Sequence, residues 1–409
     1  VDPVLVTAKA EQGRRTVLIE RQAQAVVGRV QRLLALQERP RAQRALVAMV
    51  YNYPPGGSNF GASFLNVPRS LQRVSGALAQ AGYATQEVPE GDWIAGLQPL
   101  LAAYYPDATL RSLLEQDRAE ALPLARYRQF FDALPQEVRA RIQAHWGPPE
   151  RSRYVLEWRG EPVFVIPRMR VGTLAVLPQP PREETLRLGQ NPFMHKSKAP
   201  LSHHYLAVYL WTGQADALLH FGTHGTQEWA GGKARSPDVW DDVWLPLGAA
   251  AGHIPVVYPY IVDNLGEALT AKRRGRAVLV SHRTPVFAPA GFAARMAHMH
   301  EVMHEWETVD EGPTRRALEK QLVAQFVEHQ LHRDLGWTAD AIARDFEEYL
   351  EQLHPYLDRL AQSSQPQGLA VLGTPMSGLR ATLDALPAGT RTLWLCKGFE
   401  AGTGLLGHE

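Results

Sequence analysis

Cysteine is nearly absent from this chain. Cys396 is the only one in 409 residues, which excludes an intramolecular disulfide framework and any thiolate-based zinc finger or iron–sulfur centre. A surplus of either charge is also missing. Forty-three basic side chains face 42 acidic ones, a formal charge of +1, whereas a general electrostatic binder of nucleic acid carries a basic excess. No run of about 18 apolar residues occurs, so no membrane span is expected. No signal peptide is evident, and a cytoplasmic location is the expectation. A phosphate-binding loop is lacking too. Gly231-Gly232-Lys233-Ala234 has neither the first glycine nor the closing Ser/Thr of such a loop, and the GxGxxG match at 402–407 is not followed by a helix. What the chain does have is histidine: fifteen residues, several of them crowded into one stretch.

The length predicts two or three domains. Residues 14–38 carry apolar side chains at helical spacing and predict a long surface helix whose stripe packs on the next unit. The run 46–51 reads as a buried parallel strand entering the loop Asn52-Tyr53-Pro54-Pro55-Gly56-Gly57. A helix from about Pro68 to Gln80, stopped by Gly82, and a strand over 84–88 would complete a βαβ unit. Such units bind ligands at the carboxyl ends of their strands. Residues 92–146 read as mostly helical, broken at Pro106, Pro123 and Pro135. Strands are expected at 163–166, 174–177, 217–221, 256–262 and 277–281, then helices over 292–362, then apolar runs at 369–373 and 392–395. The expected class is therefore multi-domain α/β, with βαβ units and mostly parallel sheets interleaved with helical segments. The expected divisions are an N-terminal helix and α/β unit (1–90), a helical insertion (91–150), an α/β core (151–290), a helical segment (291–365) and the truncated start of a further α/β unit (366–409). Opening on Val1 and closing without completing an element after Cys396, the chain reads as part of a longer polypeptide.

The chemistry concentrates at 216–229. An apolar run ends at His220, Gly222 and Gly225 bracket His224, and Glu228 follows. The glycines disfavour one continuous helix, so a strand–loop–helix turn is expected, with imidazoles and a carboxylate converging. That set suits a borderline divalent metal or a proton-transfer pair; a capping histidine with a surface glutamate is the plain alternative. Upstream lie His195, Lys196, Lys198, His203, His204, Tyr205, Tyr209 and Trp211. Downstream lie Lys233, Asp238, Asp241, Asp242, His253, Tyr258, Glu267, Lys272, Arg273 and Arg274. The Lys272-Arg273-Arg274 triplet is either a solvated helix face or a cradle for substrate carboxylates. Separately, His300-Glu301-Val302-Met303-His304 matches the HExxH pattern of zinc peptidases. It sits in a charged helix with no evident motif for a third ligand, so a zinc hydrolase built on His300 and His304 is a subsidiary reading.

These residues resemble a known family, the large subunit of cobaltochelatase and the porphyrin-binding H subunit of magnesium chelatase. The resemblance runs in order through Val50-Tyr51-Asn52-Tyr53-Pro54-Pro55, Phe64-Leu65-Asn66-Val67-Pro68, His220-Phe221-Gly222-Thr223-His224-Gly225-Thr226, Glu228-Trp229, Gly232-Lys233, Tyr258-Pro259-Tyr260-Ile261-Val262 and Gly266-Glu267-Ala268. The Tyr-Pro-Tyr-Ile-Val wording is closer to the cobalt branch. Gly252-His253-Ile254-Pro255 departs from the family's Gly-Asp-Leu-Pro, and His253 in place of Asp would soften a metal site. Family members are longer at both ends, so this chain resembles their middle section. The resemblance implies insertion of a divalent metal, cobalt before magnesium, into a tetrapyrrole, either hydrogenobyrinic acid a,c-diamide in cobalamin biosynthesis or a porphyrin. It also implies ATP hydrolysis by partner AAA+ subunits. With this comes a site: His220, His224 and Glu228 on the metal, and His224 and Glu228 as catalytic groups. Asn52, Lys233, Tyr258, Glu267, Lys272, Arg273 and Arg274 would meet the ring. A non-catalytic tetrapyrrole- or metal-binding relative is the alternative.

Overall fold

A computed structural model of the chain describes residues 5–10, 15–51, 65–104, 110–184, 199–222, 225–261, 265–282, 287–289, 294–329, 331–362, 364–366 and 371–373. The described residues fall into two compact units, one within 1–284 and 369–409, the other within 285–368.

In the first unit a short antiparallel pair, β1 (Thr7–Lys9) and β2 (Thr16–Leu18), leads into α1 (Glu20–Glu38). The helix forms, but its apolar stripe does not pack as expected. Gln22, Ala25 and Arg29 are its buried residues, while Val27, Val30 and Leu34 stay exposed. Gln22 is drawn inward because its side chain donates to Pro237 O and accepts from Val239 N. β3 (Leu46–Val50) is buried along its whole length, as a strand covered on both faces must be. α2 (Val67–Gln80) starts where Asn66 accepts a hydrogen bond from Arg69 N at 3.0 Å, with Pro68 in the first turn.

The segment 84–88 is not the expected strand. Thr173 N and Oγ1 donate to Ala84 O, and Thr85 Oγ1 to Val171 O, isolated bonds in place of a ladder. Only Val88 of the five is buried. An Ala-Thr-Gln-Glu-Val run has too little apolar surface for a position covered on both faces, and more apolar strands from later in the chain take it.

α3 (Glu90–Ala102), α4 (Leu110–Glu115), β4 (Ala119–Pro123), α5 (Leu124–Asp132) and α6 (Gln136–Trp146) follow. The break expected at Pro123 is real, but it ends a strand. β4 pairs with β6 (Glu161–Pro167), which also pairs with β5 (Val155–Trp158), giving a three-stranded antiparallel sheet. The chain continues through β7 (Met169–Val171), β8 (Leu174–Pro178), α7 (His203–Thr212), β9 (Ala217–Phe221), β10 (Val256–Ile261), α8 (Leu265–Arg273) and β11 (Val278–His282). The main sheet has the order β11-β10-β9-β3-β8-β7, parallel except where β7 meets β8. Val50 is in register with both Pro178 and Phe221. The carboxyl ends of β3, β8 and β9 therefore share one edge, where α/β sheets bind ligands. The β3–β8–β9 neighbourhood uses long crossovers, and β10–α8–β11 is a local βαβ unit.

The second unit holds β12 (Phe287–Pro289), α9 (Ala294–Thr308), α10 (Pro313–Glu328), α11 (Leu331–Asp334), α12 (Ala339–Arg344), α13 (Phe346–Gln362) and β13 (Ser364–Pro366), with β12 and β13 paired antiparallel. Its core is Met299, Met303, Trp306, Leu322, Phe326, Tyr349 and Leu353. Residue runs 369–370 and 392–395, expected to open another α/β unit, lie outside the described residues; Val371, Leu372 and Gly373 form no strand. Among the described residues no helix is long and apolar enough to cross a membrane.

Candidate functional site

His220 is the fourth residue of β9, level with Met49 of β3 and 2% exposed. On the neighbouring strand β10, Tyr258 follows the register pair Val257–Leu219 and so stands beside it. The two rings stack, centroids 5.3 Å apart and planes within 4°. From α7, the Tyr209 hydroxyl lies 3.3 Å from His220 Nε2.

Past β9 the chain turns at Gly222, whose φ of 147° a side chain would resist. Thr223 and His224 lie outside the described residues. The chain resumes at Gly225 and forms a single 3-10 turn, Gln227–Trp229, so the expected strand–loop–helix turn is present in short form. Glu228 is 1% exposed. Its Oε1 accepts from Gly225 N at 2.8 Å and from the Tyr258 hydroxyl at 3.1 Å. Its Oε2 is buried with no hydrogen-bond partner among the described residues. A buried carboxylate oxygen left so is costly unless a proton or a cation meets it.

Gln179, the residue after β8, holds this loop from the side. Its Oε1 accepts from Thr226 N at 2.9 Å, and its Nε2 donates to the Tyr209 hydroxyl at 3.1 Å and the Tyr205 hydroxyl at 3.4 Å. Tyr205 and Thr226 hydroxyls are 2.9 Å apart. The packing leaves no room: a Cβ on Gly225 would sit 2.9 Å from Gln179 Oε1 and 3.2 Å from His220 Nδ1. Sequence reasoning missed Gln179. Its one signal was its place at the carboxyl end of an apolar parallel strand.

Burial sets the protonation states. It pushes His220 down to about 4 against the opposing pull of the Glu228 charge, so the imidazole is neutral at pH 7. Burial also raises Tyr205 to about 12 and lifts Tyr209 well above its ordinary value. Both phenols therefore stay protonated. A neutral imidazole and a carboxylate brought together at the sheet edge can ligate a divalent ion or accept protons.

The cationic candidates occupy different settings. Arg274 is committed to backbone carbonyls: Nε donates to Glu228 O at 2.7 Å, and the other nitrogens reach Ala230 O, Gly232 O and Lys233 O. Lys272 Nζ donates to Ala277 O at 3.2 Å, while Lys233 and Arg273 are exposed. Asn52 and the side chain of Glu267 lie outside the described residues. Of the upstream histidines, His203 and His204 are core groups. His203 is held by the Tyr127 hydroxyl and Gly147 O, and His204 by Val165 O and the face of Tyr154, 3.8 Å away. His195, Lys196 and Lys198 are outside the described residues.

Asp238 and Asp242 pair with Arg21 and Arg141, and Asp241 accepts from Lys233 N and Asp238 N. They organise the segment after Glu228 and do not join it. His253 packs against α1, where a Cβ on Gly28 would come within 2.7 Å of its ring, and Arg276, Arg29 and Arg32 face it. His300 and His304 are on α9 in the other unit.

The fold and this centre define an α/β protein with a buried imidazole–carboxylate group at the carboxyl edge of a parallel sheet. Residues 1–388 match the CobN/Magnesium Chelatase family, and the chain belongs to it. It is 30% identical over 363 residues to the aerobic cobaltochelatase subunit CobN of Sinorhizobium sp, an alignment covering 85% of this chain and 27% of that protein. To the magnesium-chelatase H subunit of Rhodobacter capsulatus it is 29% identical over 374 residues, covering 89% and 28%. The solved catalytic subunit of cobaltochelatase from Mycobacterium tuberculosis superposes with a TM-score of 0.59 at 27% identity, over 92% of this chain and 31% of that one. The chain thus spans about a quarter to a third of the length of these relatives.

Proposed function

We propose that this chain is the metal-insertion segment of the tetrapyrrole-binding large subunit of an ATP-dependent chelatase, with cobalt as the metal and a corrin precursor as the ring. Insertion forms bonds from a divalent ion to the ring nitrogens and releases the inner N–H protons, one from a corrin and two from a porphyrin. Glu228 and His224 act on the metal and on those protons, and His220 serves as a neutral imidazole facing the Glu228 charge. The observation that carries the reading is the buried Glu228 Oε2, without a hydrogen-bond partner among the described residues, on a carboxylate whose charge the His220 imidazole feels. One carboxylate can take one proton, and a neutral imidazole a second. A set of few N and O donors strips water from the ion yet releases it, as a closed thiolate cage would not. Imidazole in the set favours cobalt, because magnesium prefers oxygen ligands and keeps its water.

In this reading Lys233 and Arg273, both exposed, meet the ring carboxylates together with Lys272, while Asn52, Glu267 and Tyr258 contact the rest of the ring. Arg274 acts as a positioning residue that holds the loop bearing Glu228. Partner AAA+ subunits hydrolyse the ATP, and the assembly works in the cytoplasm.

The test is a reconstitution of the full-length subunit with its ATPase partners, ATP, cobalt or magnesium, and the candidate rings. Cobalt insertion into the corrin precursor is the expected result. Ring binding with no insertion of either metal would replace this reading with that of a non-catalytic tetrapyrrole-binding relative.

A further inference from the structure

The second unit carries a histidine cluster that insertion chemistry does not use. His300 and His304 stand one turn apart on α9, and α13 brings His354 against them. Ring centroids are separated by 4.6 Å (His300–His304), 5.1 Å (His300–His354) and 4.9 Å (His304–His354). One ligand nitrogen from each lies within 4.8 Å of the others. One turn further along α9, Glu307 reaches both His304 Nδ1 and His354 Nδ1 at 3.2 Å.

That carboxylate decides which nitrogens are left. An ionised carboxylate only accepts, so each Nδ1 carries the hydrogen and each Nε2 keeps its lone pair. His354 Nε2 is buried without a hydrogen-bond partner among the described residues. A carboxylate behind a histidine whose other nitrogen faces a metal is the usual outer-shell arrangement of imidazole sites. We infer that His300, His304 and His354 form a binding site for a divalent transition ion of the zinc, cobalt or nickel class, oriented by Glu307 and tying α9 to α13.

The geometry needs only a small adjustment. Zinc–nitrogen bonds of about 2.0–2.1 Å in a tetrahedral set place the nitrogens about 3.4 Å apart. Closing from 4.8 Å is a matter of imidazole rotation, because His304 is 56% exposed and has room to turn. Magnesium and calcium are disfavoured by an all-nitrogen set. The arrangement is not that of an HExxH peptidase. The glutamate that would serve as base, Glu301, is 80% exposed and lies 3.9 Å from His298 Nδ1. The sequence pattern supplies two ligands and no base, and the third ligand comes from 50 residues later.

The experiment uses the full chain and zinc alone, without tetrapyrrole. Bound zinc after equilibrium dialysis is counted in wild type, His304→Ala, His354→Ala and the control His298→Ala, and cobalt substitution reports coordination through its visible absorption. The expected result is one equivalent fewer in both His304→Ala and His354→Ala than in wild type and His298→Ala, with loss of the intense visible bands of four-coordinate cobalt. Zinc is also expected to raise the melting temperature of wild type and His298→Ala but not of the other two. Should His354→Ala lose helical content by circular dichroism, His354→Gln carries the test. Equal zinc stoichiometry in all variants, or no zinc retained by wild type at micromolar concentration, would overturn the assignment. Loss of tetrapyrrole chelation by Glu228→Gln leaves this stoichiometry difference intact, so the two readings fail separately.

Discussion

Tyr258 joins the two halves of the buried centre: its ring stacks on His220 at 5.3 Å while its hydroxyl donates to Glu228 Oε1 at 3.1 Å. Tyr258→Phe keeps the stack and removes the donor. A hydrogen bond to an ionised group contributes about 1.5–3 kcal/mol, and a loosened carboxylate should slow insertion roughly tenfold, since about 1.4 kcal/mol is a factor of ten. Stopped-flow insertion kinetics, with ring binding measured separately, check this.

How far that centre could be read in advance differs from residue to residue. His220 and Glu228 were legible because an apolar run that ends in histidine and meets two glycines marks a strand entering a tight polar turn. The strands 217–221 and 46–50 were legible as largely apolar runs, as buried parallel strands are. The segment 84–88 was misread because local turn chemistry was followed while the decisive competition, with the more apolar 174–178, lay some 90 residues away. Gln179, His354 and the backbone-holding role of Arg274 escaped for one common reason. Each acts through a partner distant in sequence, and neither periodicity nor motif spacing encodes such a partner. His203 and His204 lie upstream of the cluster in sequence, yet the fold places both in the core, each with one ring nitrogen on a backbone carbonyl.

Arg274 separates a positioning role from a substrate contact. Its guanidinium serves the carbonyls of Glu228, Ala230 and Lys233, at about 1 kcal/mol each. Arg274→Lys cannot reproduce a planar fork with several donors. We expect a stability loss of roughly 2–3 kcal/mol in urea unfolding, with insertion lost in proportion to misfolding. An unchanged midpoint with weakened ring binding would instead put this cation on the ring.

Gly225→Ala should damage the site more than the fold. The new methyl would meet Gln179 Oε1 at 2.9 Å, an atom already bonded to Thr226 N, and His220 Nδ1 at 3.2 Å. Overpacking of this kind costs about 1–3 kcal/mol. Near-native circular dichroism with insertion reduced at least tenfold is the expected pair of observations.

Acid sensitivity follows from the buried histidines. Burial lowers His220 and His253 to about 4 and His204 to about 3, from an ordinary value of 6.5. The unfolded chain therefore binds protons first as pH falls. Their contribution to stability is complete above pH 6.5 and is lost as pH drops through 6.5 toward 4 and 3. His253 has a φ of 61° and a buried Nδ1 without a hydrogen-bond partner among the described residues. Asparagine tolerates that backbone without titrating. His253→Asn should flatten the fall of melting temperature between pH 6.5 and 4 relative to wild type; an identical slope would remove His253 from the account.

The central claim is that Glu228 is the group that handles the metal and a ring proton. The measurement that meets it most directly is single-turnover cobalt insertion by the full-length subunit with the proposed ATPase partners, wild type against Glu228→Gln, with ring affinity followed in parallel. Glutamine keeps the shape and the acceptor for Gly225 N and Tyr258, and removes the charge and the basicity. Loss of a general base predicts insertion slowed by about 10²–10⁴-fold with ring affinity within about twofold. Insertion at the wild-type rate in Glu228→Gln would contradict the account.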